Sequence, residues 1–392
     1  MRRLIAVALL VSACASPGMP PGGPPDVAAP QIVKIIPDSG AVGVKPKEVL
    51  FRFDEVVSER ASASGSLGDL FLISPRNGAT DASWHRDAIG VKPSRGWRAN
   101  TPYTVIMLRG VADIRGNVRN TGATTFFSTG SVIPHTRIAG TVFDWVSGSP
   151  AAGALVESFV PPDSLHPFVA LADSNGAFVI EHVPPGSYTT RAYVDRNKNL
   201  AIDPSEPWDS TSLSLADSVR TTLVIFTHDT VPPRIREVVK IDSLTLRVAF
   251  DKPVDPAQTL TAANFAIVAP DSSRVPIASA GPPPKDTTPA VSPAPSITGP
   301  VRPPPPNRRD TTPVVPKPIM PRPIPINDVV ITLQHPLTPK LVYRVRATGI
   351  RGLLGRAGDS DRPYTAPEPP PPLAPAPKPG PVTPASPPPV KP

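Results

Sequence analysis

Proline decides which parts of this chain can fold. Of 60 prolines in 392 residues, 17 fall within positions 281–325 and 14 lie from Ala366 to the end. Proline locks φ and has no N–H to donate, so runs this dense sustain neither a helix nor a sheet ladder. Both tracts read as extended, solvated polyproline II spacers. At about 3.1 Å per residue the tail reaches on the order of 80 Å. Inside the first tract KDTTPAV (285–291) recurs as RDTTPVV (309–315). The repeat reads as spacer, with glycosylation or contact with cell-wall polymer as the second reading.

The same partition accounts for the charge. The chain carries a formal +8 with a pI near 9.7, which on its face suits nucleic acid. Two of those charges are Arg2 and Arg3, about four belong to the proline-rich insert and one to the tail, leaving about one on the folded parts. A nucleic-acid binder carries its basic patch on the fold. That class is excluded.

The first residues, MRRLIAVALLVSACAS, combine a positive pair with a short apolar run ending in small residues. A bilayer needs about 20 apolar residues, so this run reads as a secretory signal rather than a span. Its end, Val11-Ser12-Ala13-Cys14, resembles the lipobox of bacterial lipoproteins. The resemblance implies cleavage after residue 13 and several acyl chains on Cys14, hence a lasting membrane anchor. Cys14 is the single cysteine, so an internal disulfide is excluded. Ala15 and Ser16 follow it, with no Asp to signal inner-membrane retention. By analogy with lipoproteins of didermal bacteria, the expected location is the cell envelope at the outer membrane.

Between residue 30 and the tail the pattern is period-two alternation broken by Gly, Pro, Asn and Asp. Val49-Leu50-Phe51-Arg52-Phe53 and Tyr103-Thr104-Val105-Ile106-Met107 are examples. Short alternating runs at regular spacing predict an all-β chain of tandem β-sandwiches. The organisation expected is a signal at 1–13 and a tether at 14–29. Sandwiches follow at 30–131, 135–228 and 229–365, the last interrupted by the insert 281–325, and the tail 366–392 closes the chain.

Three stretches carry a resemblance for the first sandwich: PQIVKIIPDSGAVGVKPKEVLFRFDEVV, TPYTVIMLRGVADIRGN and TTFFSTG. Together they resemble the bacterial Ig-like domain named after the S-layer protein SbsA. Asp113-Ile-Arg-Gly-Asn117 reads physically as a turn, with Gly116 free to take φ > 0 and Asx side chains bonding the backbone. The second segment, with RIAGTVFDW and SNGAFVIEHVPPGSYTTRAYVD, is similar to the carboxypeptidase regulatory, or transthyretin-like, sandwich. That resemblance implies a binding or spacing module and no peptidase activity. The third segment repeats the first in weaker form: TLRVAFDKPVDP parallels FRFDEVV, and the D-x-x-G-N element becomes Arg351-Gly-Leu-Leu-Gly355.

One loop invites a metal. Against the calcium template D-x-[DN]-x-[DN]-G-x5-E, Asp195, Asn197 and Asn199 hold the first, third and fifth positions. Ala201 offers a carbonyl at the seventh, Asp203 stands at the ninth and Glu206 at the twelfth. Leu200 takes the place of the glycine that makes the sharp turn. Two readings stand: a structural Ca2+ site of millimolar affinity, or an Asx-rich turn bonding its own backbone.

No zincin, nucleophile-elbow, P-loop or dinucleotide motif occurs, and the six histidines are scattered. Asp54 and Glu55 are neighbours, which in a strand face opposite sides. The expectation is a non-enzymatic, lipid-anchored envelope protein of structural or binding modules. The alternative is a glycan- or peptidoglycan-binding accessory protein, for which a row of exposed aromatics on one sheet would be the sign. Aromatics are only 5% of the chain, and Trp84, Trp97, Trp145 and Trp208 lie in separate segments, which weighs against it.

Overall fold

The computed structural model describes residues 25–61, 65–284 and 319–368. Cys14, residues 285–318 of the insert and the tail beyond 368 lie outside them. The described residues are all-β apart from two short 3-10 turns. They divide into two compact units, one holding the first two sandwiches and the other the third.

The first sandwich has strands β1 (Ile32–Ile36), β2 (Val49–Phe53), β3 (Phe71–Ser74), β4 (Thr80–Trp84), β5 (Ala88–Pro93), β6 (Pro102–Met107) and β7 (Ala123–Ser128). They form two antiparallel sheets ordered β1-β2-β5-β4 and β3-β6-β7. Alternation does what the sequence predicts on β2: Val49, Phe51 and Phe53 are buried, while Arg52 is exposed. They meet Phe71, Tyr103 and Phe127 of the facing sheet in one apolar core.

The second sandwich uses β8 (Arg137–Asp144), β9 (Ser149–Pro150), β10 (Leu155–Phe159), β11 (Phe168–Leu171), β12 (Ala177–Glu181), β13 (Gly186–Tyr193), β14 (Pro207–Leu215) and β15 (Ser218–Thr227). The order runs β11-β10-β13-β14-β15-β8-β12, with β9 on β8. β8 and β15 pair in parallel. Their approach requires glycine at 140, where a Cβ would meet the Thr221 carbonyl oxygen at 2.0 Å and the Phe178 ring at 2.9 Å.

These two sandwiches share one unit because a buried charge joins them. Glu157 on β10 is 0% exposed. Its Oε2 accepts from Arg191 Nε at 2.7 Å, and the Arg191 Nη2 atom lies at 2.6 Å. Its Oε1 takes the Tyr193 hydroxyl at 2.9 Å and faces Nη1 of Arg76, from the first sandwich, at 2.6 Å. Burial and the Glu157 carboxylate push the Tyr193 phenol up, so it stays a donor. Around this pair the backbone is stitched as well: Arg76 N–H donates to Pro167 O, and Val169 N–H donates to Ser74 Oγ. Leu72 of β3 packs into a small cluster with Leu155, Val169 and Tyr193.

The third sandwich comprises β16 (Ile235–Lys240), β17 (Thr245–Val254), β18 (Phe265–Val268), β19 (Arg274–Val275), β20 (Ile277–Gly281), β21 (Ile326–Leu333), β22 (Val342–Arg351) and β23 (Ala357–Thr365). Its sheets, β16-β17-β21-β20 and β19-β18-β22-β23, repeat the two sheets of the first sandwich, with the short β19 added at an edge. The repetition extends to individual hydrogen bonds. Gln31 N–H donates to Asp54 Oδ1 in one copy, and Arg234 N–H to Asp251 Oδ1 in the other. The Tyr103 hydroxyl accepts from Arg98 N–H, as Tyr343 does from Thr338 N–H. Isolated bridges Val57↔Asp113 and Val254↔Gly352 match too. β20 pairs with β21 up to Gly281↔Val330, so the proline-rich insert departs from the end of a hairpin, where added length carries little entropic penalty.

Removing the acceptor of the buried pair tests what joins the first two sandwiches. Glu157→Ala leaves Arg76 and Arg191 without a carboxylate, and breaking such a pair on one side costs about 3–5 kcal/mol. Urea unfolding of the full chain is expected to show that loss in the first unit. A shift under about 1 kcal/mol would mean the pair behaves like an exposed one.

Candidate functional site

The candidate calcium loop, residues 194–206, joins β13 to β14, which pair from Gly186↔Leu215 to Tyr193↔Trp208. Its shape comes from its own side chains. Asp195 Oδ1 and Oδ2 accept from the N–H groups of Asn199 and Leu200 at 3.1 and 2.8 Å. Asn197 Oδ1 accepts from Asn199 N–H, and Asn199 Oδ1 from Ala201 N–H. Both Asn amides donate to Asp203 Oδ2, at 2.6 and 3.1 Å. Glu206, 2% exposed, accepts from Arg196 N–H at 2.8 Å and from Asp203 N–H at 3.1 Å.

Leu200 takes φ +59°, the left-handed conformation in which glycine is the usual residue. So the sharp turn that the missing glycine put in question is made, with leucine. The side chain explains the choice, since Leu200 and Ile202 pack onto the cluster of Leu155, Val169 and Tyr193 with Leu72. Glycine would relax the backbone and surrender that anchor. The structure therefore brings Asp195, Asn197, Asn199, Ala201, Asp203 and Glu206 into one loop. A cation at its centre would have to take Asp203 Oδ2 from two amides and share the Asp195 and Glu206 oxygens with four backbone N–H groups.

A second set of carboxylates converges where sequence reasoning saw only a turn. Asp26, Glu55 and Asp113 each place a carboxylate oxygen within 4.8 Å of the others. Asp113, 2% exposed, sits at the head of the turn Asp113–Asn117. Its Oδ1 accepts from Arg115 and Asn117 N–H, both at 2.8 Å, and its Oδ2 accepts from Asn117 Nδ2 at 2.7 Å. Burial alone would raise its pKa. The side chain and N–H of Asn117, with the N–H groups of Arg115 and Gly116, outweigh burial and hold the carboxyl below its usual range.

Glu55 is placed differently from the expectation. β2 ends at Phe53, so Asp54 and Glu55 occupy a bend and not two faces of a strand. Asp54 turns to the Gln31 N–H, while Glu55 faces the other two acids. Burial, and then the carboxylates of Asp113, Asp26 and Asp54, push Glu55 up. The Asp26–Glu55–Asp113 convergence was missed because its members come from three distant stretches. The signal was present in the two copies side by side, DEVV against DKPV and DIRGN against GLLGR.

Among the described residues the one cluster of potential metal-binding His, Cys, Asp and Glu is that carboxylate trio. His85 pairs with Glu48, His166 with Asp163, and His182 stacks on Phe126. The tryptophans form no row. Trp97 packs edge-on against Tyr103 and Phe127, Trp208 joins the Tyr193 cluster, Trp145 is buried, and Trp84 is 39% exposed with its Nε1–H on Val57 O.

With this geometry described, similarity to known proteins adds one module. Residues 26–129 match the family described as "Bacterial Ig-like domain". The chain thus contains a bacterial Ig-like domain. No curated protein matches the chain. Among solved structures, an L,D-transpeptidase from Mycobacterium smegmatis is 16% identical, covering 50% of this chain and 76% of that one, at a TM-score of 0.19. BcpA, the major pilin subunit of Bacillus cereus, is 9% identical over 50% and 70%, also at 0.19. Domains 1–6 of the surface layer protein SbsC are 8% identical over 87% and 54%, at 0.20. At such scores these likenesses carry no argument.

Two outcomes check the assignments. Asp195→Ala removes the acceptor of two backbone N–H groups, and at about 0.5–1.5 kcal/mol each the first unit is expected to lose about 1–3 kcal/mol in urea unfolding. An unchanged midpoint would show that the loop does not depend on Asp195. In the third sandwich, the hydrogen bond from Lys252, then that from the Val231 N–H, hold Asp229 below its usual range. A depressed carboxylate contributes stability above its unfolded pKa, and that contribution is lost as pH falls through the folded one. The third sandwich of wild type is therefore expected to weaken on acidification below about pH 4, and Asp229→Asn to flatten that part of the profile.

Proposed function

We propose that this protein is a non-enzymatic, lipid-anchored component of the bacterial cell envelope whose sandwiches act as structural or binding modules. The observation that carries the reading is architectural. A bacterial Ig-like domain contacts a second sandwich through Arg76 and Glu157, and its topology recurs in a third. The sequence carries no zincin, nucleophile-elbow, P-loop or dinucleotide motif.

Anchorage rests on the sequence, with Arg2 and Arg3, the apolar run and Val11-Ser12-Ala13-Cys14 supporting acylation of Cys14 and retention at the outer membrane. The proline-rich insert and tail then serve as spacers. The glycan-binding alternative draws no support from the tryptophans, since Trp84 alone among them is exposed and it is tied to Val57 O. Labelled palmitate is expected to enter the wild-type chain, and Cys14→Ser to lose both the label and membrane fractionation. Retention of that variant in the membrane fraction would sink the anchor. Saturable capture of the full chain on purified peptidoglycan would shift the reading to the alternative.

A further inference from the structure

The return end of the proline-rich insert keeps a strict alternation. Residues 320–325 read Met-Pro-Arg-Pro-Ile-Pro, so each is a proline or stands directly before one. A proline fixes its own φ, and its ring keeps the residue before it out of the helical region. The stretch is therefore confined to extended and polyproline II conformations, with little freedom left to lose on binding. It forms no strand or helix before β21 begins at Ile326. Its carbonyls are not taken up by a ladder and can answer a donor from elsewhere in the chain.

One side chain supplies that donor. Trp145, directly after β8, is 8% exposed. Its Nε1–H donates to the Pro323 carbonyl at 2.8 Å, across 178 positions of sequence. The Arg322 guanidinium lies 5.4 Å from the centre of the same ring, within reach of a cation–π attraction. Trp145–Ser147 and the chain from Met320 onward fall in one compact unit. An indole combines a single donor with a broad apolar face. Aromatic residues take proline-rich segments in other proteins by the same means, because such a segment is already extended before it binds.

The pattern that Trp145 meets is proline, cation, proline. It is written three times in the chain, as Pro316-Lys317-Pro318, Pro321-Arg322-Pro323 and Pro377-Lys378-Pro379. The first and third lie outside the described residues. We propose that Trp145 is a binding site for proline-rich segments of this pattern, and that residues 321–323 are the ligand it holds. Each feature of the pattern has its counterpart. The indole N–H needs a carbonyl that no ladder uses, the ring needs a cation beside it, and the flanking prolines hold both in place. A planar guanidinium lies over a ring better than an ammonium does, which ranks the arginine copy above the two lysine copies. The insert is thus more than a spacer, since its return end is read where the chain re-enters the sheet at β21.

The test follows the Trp145 indole N–H of the full chain by NMR, its signal identified by its loss in Trp145→Phe. Pro321→Gly, Arg322→Gly and Pro323→Gly together should release the segment and speed exchange of that N–H about tenfold. A synthetic peptide of residues 319–326 is then added at about 10 mM, comparable with the effective concentration of a short tethered segment. It should return the signal toward its original position, and the same peptide with alanine for Arg322 should bind more weakly. The signals of Trp84, Trp97 and Trp208 should stay in place, which shows that the fold is kept. If they move, Arg322→Ala alone decides, with exchange expected about two- to fivefold faster. The proposal is overturned if the Trp145 N–H ignores both sets of substitutions, or if the peptide leaves the released site unchanged. It is equally overturned if the arginine-free peptide binds as well as the native one.

Discussion

The Ig-like copies depend on answering backbone N–H groups where strands end and the ladder runs out. An unanswered N–H costs about 1–3 kcal/mol where it is buried and less where water reaches it. Both copies use the same acceptors at matched places: Asp54 and Asp251 at the crossing of the first two strands, Tyr103 and Tyr343 near the start of the central strand of the facing sheet. The 3-10 turns are alike in this respect, boxed by Ser66 with Asp69 and by Thr261 with Asn264. Apolar identities drift between the copies, as Met107 against Ala347 shows. The acceptors do not drift, because a core can repack around a changed volume while an N–H at a strand end has one place to point.

Much of this architecture was legible in the sequence. Alternation on Val49–Phe53 marked the buried face. The parallel between FRFDEVV and VAFDKPV announced the repeat. What sequence could not show was convergence. Arg76 and Glu157 belong to different sandwiches, and neither has a neighbour that reveals its partner. Glu157 lies in a strand where alternation alone would expect an apolar or solvent-facing residue. Leu200 was a mismatch to a metal template in one dimension. In three it is an apolar anchor that accepts a left-handed backbone, since the packing on Tyr193 and Leu155 outweighs strain of about 1 kcal/mol.

The two acidic sites also separate by how their oxygens are used. In the loop Asp195–Glu206 each acid accepts from the loop's own donors, so negative charge is spread over N–H dipoles. In the trio Asp113 and Asp26 accept from N–H groups of their own turns. Glu55 faces carboxylates, and burial and those neighbours raise its pKa. A like-charge cluster lowers the stability of the fold that holds it, and such local conflicts concentrate where a protein does something besides fold.

The third sandwich shows that the conflict is optional. With Lys252 and Gly352 at the matched places, Asp229 is held below its usual range and the same topology stands with one ion pair. Nothing in the sheets demands three acids at Asp26, Glu55 and Asp113, because the acceptor positions that the sheets do demand are kept in both copies. The acids therefore vary independently of the fold.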